Sequence, residues 1–272
     1  MRIGLITPEP GHPLLAAATA LLAPEHTVEV LDPASPAGAP ARPADVYLLK
    51  SGTERALELA RELEARGAVV VNSAAATALC QDRTRMAELA LGAGLPFADT
   101  RTHGSLSAWA SDAALPAPVV VKSRRNRRGD LVARVDDGSR LRQLAEVWRH
   151  EPVVVQEFAP NSGWDHKLWA IGDEVFCALR RSELSPEGRG ATRSLPLDEL
   201  PAGWADLVRE TGAVFALEVY GVDIIDVGDG TPLIVDVNAF PGVRGQAGAP
   251  EALAALALRR VTGRTGRAHA TR

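Results

Sequence analysis

The sequence predicts an α/β unit followed by α+β subdomains, and three observations predict it. Strand-like and helical stretches alternate over the first part of the chain, the pattern of a parallel, doubly wound sheet. From about residue 116 apolar strand runs follow one another more closely, which is the grammar of antiparallel pairing. Two of those runs are broken at Gly172-Asp173 and at Gly228-Asp229-Gly230, so each reads as a hairpin.

The elements follow in chain order. RIGLIT (2–7), TVEVL (27–31), DVYLL (45–49) and AVVV (68–71) read as short strands. Helices are expected between them around 13–23 and 53–66, the latter amphipathic and closed by Gly67. The Pro- and Ala-rich segment 33–43 reads as a surface loop. NSAAATALCQDRTRMAELALGAGLP predicts two helices ended by Gly94 and Pro96. PAPVVVKS (116–123) is a strand with LVARV (131–135) as its hairpin partner; a helix over 138–149 and the strand PVVVQEF (152–158) come next. DHKLWAIGDEVFCALRR (165–181) and VYGVDIIDVGDGTPLIVDVN (219–238) are the two hairpins. The basic end from about Thr262 is expected to fray.

Composition removes several classes of function. At 272 residues the chain supports more than one subdomain. A net charge of −4 without a basic stripe argues against nucleic acid as a partner. With two cysteines, Cys80 and Cys177, a disulfide framework is not expected and a reducing compartment is. The apolar stretch LLAAATALLA (14–23) is too short to span a bilayer and follows a strand rather than a basic segment. The expectation is a cytoplasmic, globular protein with no membrane partner.

Chemistry concentrates near the end, in LIVDVNAFPG (233–242). In a regular strand Leu233, Val235 and Val237 line one side, and Asp236 and Asn238 the other. Two acceptor-rich side chains on one face call for a compensator, and a hard cation such as Mg2+ prefers oxygen ligands. A strand with one solvated face is the alternative. A second signal is scarcity: among 30 Lys and Arg only Lys50, Lys122 and Lys167 are lysines. A retained lysine in an arginine-rich chain suits a place that needs a compact point charge. Lys122 ends a strand at the mouth of SRRNRRGD, and Lys167 shares a strand face with Asp165.

In the order CQDRTRMAELALGAGLPFADT, PVVVKS, VVVQEF, DHKLWAIGDEVFCALRR and GVDIIDVGDGTPLIVDVNAFPG, the chain resembles the ATP-grasp superfamily from about residue 1 to 260. It looks closest to the glutamate ligases that modify ribosomal protein and to the inositol-tetrakisphosphate kinases, whose metal strand also ends in Asp-x-Asn-Ala-Phe-Pro-Gly. The resemblance implies a Rossmann-like N-terminal domain over 1–78 and an ATP-grasp domain over 79–262. Within the latter it implies an antiparallel lid near 116–157 and an antiparallel metal-binding subdomain, with a flexible tail over 263–272.

The resemblance also implies roles. Lys122 meets the phosphates of ATP, Lys167 its phosphate or base, Asp165 its ribose, and Gln156, Glu157 and Phe158 form the hinge that reads adenine, chiefly through backbone groups. Asp223, Asp236 and Asn238 hold Mg2+, or Mn2+ in its place. Arg180 or Arg181, which face opposite ways on a strand, stabilises the transferred phosphoryl group together with Lys167. Lys50 at a strand end and Arg244 in the PGVRG loop are candidates for holding a small anionic substrate, an amino acid or a peptide. A homo-oligomer stays open.

The chain departs from the ligases at three places. The loop after Lys122 is Arg124, Arg125, Asn126, Arg127, Arg128 and Gly129 instead of glycine-rich, and either closes on phosphates or is a solvated loop. Asp82 is followed by Arg83, with Arg85 beyond, where a lysine is common, which puts a phosphate role there in doubt. Asp236 stands where glutamate is common. The expected reaction is ATP-dependent joining of a carboxylate to an amine through an acyl phosphate, releasing ADP and phosphate. The alternatives are a kinase passing the same phosphoryl group to a hydroxyl and a nucleotide-binding relative without activity.

Overall fold

The computed structural model describes residues 1–127, 129–185, 188 and 190–269, with side chains followed as far as Thr262. The first unit comprises β1 (Arg2–Ile6), α1 (Pro13–Leu22), β2 (Thr27–Leu31), β3 (Val46–Leu49), α2 (Glu54–Ala65) and β4 (Val69–Val71). Its strands are parallel in the order β2-β1-β3-β4, as the alternation predicts. Local signals start and stop its helices. Thr53 Oγ1 accepts the Ala56 N–H at the start of α2, and Gly67 takes φ +80° just past its end. α1 opens with Pro13, and its first turn is capped by His12 Nδ1, which accepts the Leu14 N–H.

Two short helices, α3 (Ala74–Cys80) and α4 (Arg83–Gly92), lead out of this unit. A second sheet follows, built from β5 (Thr100–His103), β6 (Val119–Ser123), β7 (Val132–Val135) and β8 (Val153–Glu157), with α5 (Leu106–Asp112) and α6 (Gly138–Val147) on it. Its order is β5-β8-β6-β7, antiparallel throughout. It has its own core, with Leu106, Val121, Val135, Leu141 and Val153 almost fully buried. The antiparallel subdomain therefore begins at Thr100, ahead of the expected 116.

The third sheet holds β9 (Trp164–Ile171), β10 (Glu174–Arg181), β11 (Thr192–Ser194), β12 (Val219–Asp226) and β13 (Pro232–Ala239), in the order β11-β10-β9-β12-β13. α7 (Trp204–Phe215) covers it, and α8 (Ala249–His269) ends the description, carrying helical backbone through 263–269, where fraying is expected from the sequence. Residues 270–272 of that tail, with Arg128 of the arginine loop, lie outside the described residues. One face of this sheet presents Leu168, Val222, Ile224, Ile234 and Val237 to Met86 and Ala90 of α4 and to Val208 and Phe215 of α7. Each large aliphatic side chain buried there contributes about 1.5–3 kcal/mol.

Strict alternation along β13 fails, and the register explains why. Asp223 pairs with Asp236 but Ile224 pairs with Ile234, leaving Val235 without a partner on β12. This bulge puts Ile234 and Val237 together in the core, while Leu233, Val235 and Asp236 line a cavity on the other side. The expected grouping of Leu233, Val235 and Val237 on one face is corrected by that extra residue.

The first and third sheets share a core. Ile3, Leu5 and Leu14 pack with Ile171, Val219 and Phe240 and with Leu253 and Leu256 of α8. Asn72, buried just past β4, joins them directly. Its Nδ2 donates to Val219 O at 2.6 Å, and its Oδ1 accepts the N–H groups of Glu218 and Val219 at 2.7 and 3.0 Å. Both cysteines are free and buried, and among the described residues no helix is long and apolar enough to cross a membrane.

Candidate active site between the two antiparallel sheets

A cavity of about 720 Å³ opens between the second and third sheets. Its floor is a row of side chains running across the third sheet. Arg180 on β10 faces Asp165 on β9; Lys167, two residues on, faces Asp223 on β12; Asp223 faces Asp236 on β13. Antiparallel partners share a face, so the row follows from register alone. Lys167 Nζ lies 2.6 Å from Asp223 Oδ2 and 3.6 Å from Asp165 Oδ2. Arg180 Nη2 stands 3.9 Å from Asp165 Oδ2, and its buried Nε has no partner among the described residues. Arg181 turns to the cavity wall and lies over the Trp164 ring, 4.9 Å from its centroid.

Lys122 enters from the opposite wall. It stands next to last in β6, almost fully buried, and its Nζ donates to the Val235 carbonyl at 2.7 Å, on the residue that the bulge leaves unpaired. Burial pushes this ammonium down to about 8; Asp236 and Asp223 pull it up, Arg83 and Lys167 push it further down. A buried cation with one carbonyl as its partner is under-compensated, which suits it to an incoming anion.

At the far end β8 supplies the hinge. Gln156 is buried and donates through Nε2 to Thr100 Oγ1 at 3.0 Å, so its side chain is spent on structure. The Glu157 carboxylate is 82% exposed with Arg101 at 3.8 Å, which leaves the backbone as its contribution. The Phe158 N–H donates to Pro118 O at 3.0 Å and cannot also reach a ligand. Beyond it the Ala159 N–H has no acceptor among the described residues. The Phe158 ring carries the Arg134 guanidinium 3.9 Å from its centroid.

The loop after β6 is tied down in three places. Arg124 forms two hydrogen bonds to Asp82, at 3.0 and 2.9 Å, and Arg127 reaches Glu151 at 2.8 Å. Asn126 Nδ2 donates to Asn238 Oδ1 at 2.9 Å. Burial penalises the Asp82 carboxylate, yet Arg124 and Arg125 outweigh it and hold the group below its usual range. The described residues of the loop are therefore held over the cavity, and Arg83, at the start of α4, joins their network. Arg83 Nη1 meets Asp130 and Ser123 O, and Nη2 lies 3.3 Å from Asp236 Oδ2.

Thus Lys122, Gln156, Glu157, Phe158, Asp165, Lys167, Arg181, Asp223 and Asp236 line one cavity. Asn238 joins through Asn126, and Arg180 through Asp165. Lys50 and Arg244 are not in its lining. Their charges couple elsewhere, beyond the carboxyl ends of β1 and β3, together with those of Glu9 and His12. Lys50 Nζ donates to Phe240 O at 3.0 Å and sits 5.5 Å from that ring's centroid. Burial brings it down to about 8; Glu9 raises it and Arg244 lowers it. His12 is pushed below its usual value by burial and by Lys50 and Arg244. A Cβ at Gly242 would stand 2.8 Å from His12 Nε2, so a glycine is required for this approach.

Sequence reasoning missed Asn126, Asp130, Arg134, His12 and the Ala159 N–H. The Gly129-Asp130 turn before LVARV was a usable signal for Asp130. Nothing local marks the others: Asn126 gains its significance from Asn238, Arg134 from Phe158, and His12 from Lys50 and Gly242.

The oxygen donors suit a hard divalent cation. Among the described residues no three His, Cys, Asp or Glu side chains are grouped so that they could hold a metal ion by themselves. The set is two carboxylates on paired strands and the Asn238 amide oxygen. Mg2+ commonly takes one or two protein carboxylates and completes its shell with water and substrate phosphates, so such a sparse set fits.

Comparison with known proteins agrees with this architecture. The RimK-like ATP-grasp domain model matches residues 100–252. Beta-citrylglutamate synthase B of Danio rerio is 29% identical over 196 residues, covering 67% of this chain and 47% of its own length. The ribosomal protein bS6–L-glutamate ligase of Escherichia coli is 27% identical over 198 residues, covering 68% and 64%. The chain thus spans about half to two thirds of the length of these curated relatives. Among solved structures, a RimK domain ATP-grasp protein of Sphaerobacter thermophilus superposes with TM-score 0.73 at 25% identity, covering 94% of this chain and 99% of that one. D-alanine–D-alanine ligase of Bacillus anthracis gives TM-score 0.71 at 16% identity, covering 98% of each chain, a likeness of fold.

Proposed function

The chain belongs to the RimK-like ATP-grasp family, and from that premise we propose that it is an ATP- and Mg2+-dependent carboxylate–amine ligase working through an acyl phosphate. One observation carries the reading: the row Arg180–Asp165, Lys167–Asp223–Asp236 crosses the four strands of two hairpins beneath Lys122 in a cavity of nucleotide size.

Adenine presents a donor at N6 and an acceptor at N1, and the Glu157 carbonyl with the Ala159 N–H offers the complement. Asp165 accepts from the ribose. Lys122 and Lys167 are point charges for the phosphates. Asp223, Asp236 and Asn238 hold Mg2+, which neutralises charge building on the phosphates. A substrate carboxylate oxygen attacks the γ-phosphorus, and the bond from that phosphorus to ADP breaks. Arg180 or Arg181 donates to the transferring oxygens, where such contacts are worth most in the transition state. An amine then attacks the acyl carbon, phosphate departs with its electron pair, and the amine loses a proton. The anionic substrate is held between Lys50, Arg244 and the neutral His12, at the carboxyl ends of the parallel strands. The domain division that goes with this reading is 1–78 and 79–262.

The test is ADP release measured against panels of carboxylates and amines, with hydroxylamine added to trap an acyl phosphate as a hydroxamate. The expected result is release that needs a carboxylate, and hydroxamate in the same amount. Release with a polyol phosphate alone would make the protein a kinase, the reading that the Asp-x-Asn-Ala-Phe-Pro-Gly string favours. ATP binding with no release for any panel would leave a non-catalytic relative.

A further inference from the structure

Arg83 is a closely held cation of the site. It begins α4, its side chain is 7% exposed, and it lines the cavity. A buried guanidinium must be paired, because removing one partner of a buried pair leaves an uncompensated charge. Its partners are not equivalent. Nη1 is held closely by Asp130 and by Ser123 O, both belonging to the arginine loop and its strand. Nη2 has only Asp236 Oδ2, at the longer distance of 3.3 Å, and Nε has no partner among the described residues. The guanidinium is thus anchored on one side, and on the other it leans on the carboxylate that would bind the metal.

We propose that Arg83 is a positioning residue that competes with the divalent cation for Asp236 and hands that carboxylate over when nucleotide phosphate arrives. The inference rests on the metal and ATP reading above. A cation taking the Asp236 oxygens deprives Nη2 of its partner inside a buried site. Phosphate oxygens in the cavity replace that partner, since guanidinium binds phosphate and carboxylate by the same paired donors. Metal without nucleotide therefore leaves a buried charge uncompensated, and metal with nucleotide does not. The two ligands bind with positive coupling, reciprocal by linkage. Asp130 is the second half of the device, because it holds the guanidinium at a fixed distance from Asp236. A planar fork holds this divided grip better than a compact ammonium does, which gives the arginine at this position a physical reason.

The experiment measures Mn2+ binding to the full chain by the loss of its free electron-spin-resonance signal, first without nucleotide. Arg83→Gln should bind free Mn2+ at least threefold more tightly than wild type, Arg83→Lys should fall back toward wild type, and Asp130→Asn should bind more weakly. A structural or purely phosphate-binding role for Arg83 predicts unchanged or weaker Mn2+ binding in Arg83→Gln, and that result overturns the inference. ATP affinity measured by calorimetry in Mg2+ should fall in Arg83→Gln, so the variant moves the two ligands in opposite directions. Asp236→Asn serves as the reference: if it leaves Mn2+ binding intact, the metal reading itself fails. If it abolishes binding while Arg83→Gln does not tighten it, only the competition fails.

Discussion

Asn126 Nδ2 donates to Asn238 Oδ1 across 2.9 Å, joining the arginine loop to the strand that carries Asp236. The bond spends one lone pair of the amide oxygen and fixes which way the amide points, leaving the other lone pair for a cation. Asn126→Ala should therefore raise the Mg2+ concentration for half-maximal activity about 10- to 100-fold, the range for a lost outer partner of a metal ligand. Asp236→Ala and Asn238→Ala should abolish turnover while the chain keeps its far-UV spectrum and cooperative melt. A variant of either with near wild-type activity at saturating Mg2+ would remove these residues from the metal set.

Lys122 makes stability depend on pH. Its folded value, about 8, lies below the ordinary 10.5. Between those values the unfolded chain binds the proton and the folded chain does not, so stability rises with pH there. Below about pH 8 the charged, buried ammonium costs the fold about 3 kcal/mol, a penalty relieved as pH approaches 10.5. Lys122→Met should therefore be more stable than wild type at pH 7, with the gap closing by pH 10, while its ATP affinity falls. Urea titrations at the two pH values read this directly. A gap that does not change with pH would contradict it.

Lys122→Ala and Lys167→Ala should each weaken ATP binding by roughly 1–3 kcal/mol, the scale of a charge-assisted hydrogen bond. The two differ in what they leave behind. Lys167 also neutralises Asp223 at 2.6 Å and Asp165 at 3.6 Å, so its loss should lower thermal stability as well. Calorimetry with unchanged ATP affinity in both variants would refute the phosphate role.

Arg244→Ala should raise the acceptor's KM or lower kcat while ATP affinity stays near wild type. Arg244 is exposed, lies outside the cavity lining, and couples to His12 and Lys50. Equal loss of ATP and acceptor affinity would indicate a collapsed site instead. No change in either would make it a solvated loop arginine.

The parts of the fold legible in the sequence are those whose burial writes a pattern. The parallel strands carry apolar runs, and the hairpins carry glycine at Gly172 and at Gly228 and Gly230, all with positive φ. β5, TRTH, is half-exposed and polar and shows no alternation, so it and α5 went unread. α7 and α8 were also unread, though Trp204, Val208, Thr211 and Phe215 are spaced for a buried helix face. The Asp223–Ile224 bulge cannot be read locally, because it exists only in the pairing of two strands. For the same reason the cavity-facing lysines and carboxylates were found from motif order, while Asn126 and Arg83 needed coordinates to connect them to Asn238 and Asp236.

Asn72 makes one block of the parallel sheet and the third sheet. Its amide occupies the seam between the parallel sheet and β12 with three hydrogen bonds, and the common core around α8 closes over it. Lys50 and His12 are thereby bolted to the same block as Asp223 and Asp236, like fixtures on an anvil. The sheet bearing Lys122 keeps a separate core of its own, outside that block. If the acceptor binds at Lys50 and His12 as proposed, its spacing from the phosphate site is set by this shared frame at folding, and a new acceptor would be accommodated by exchanging side chains on the anvil.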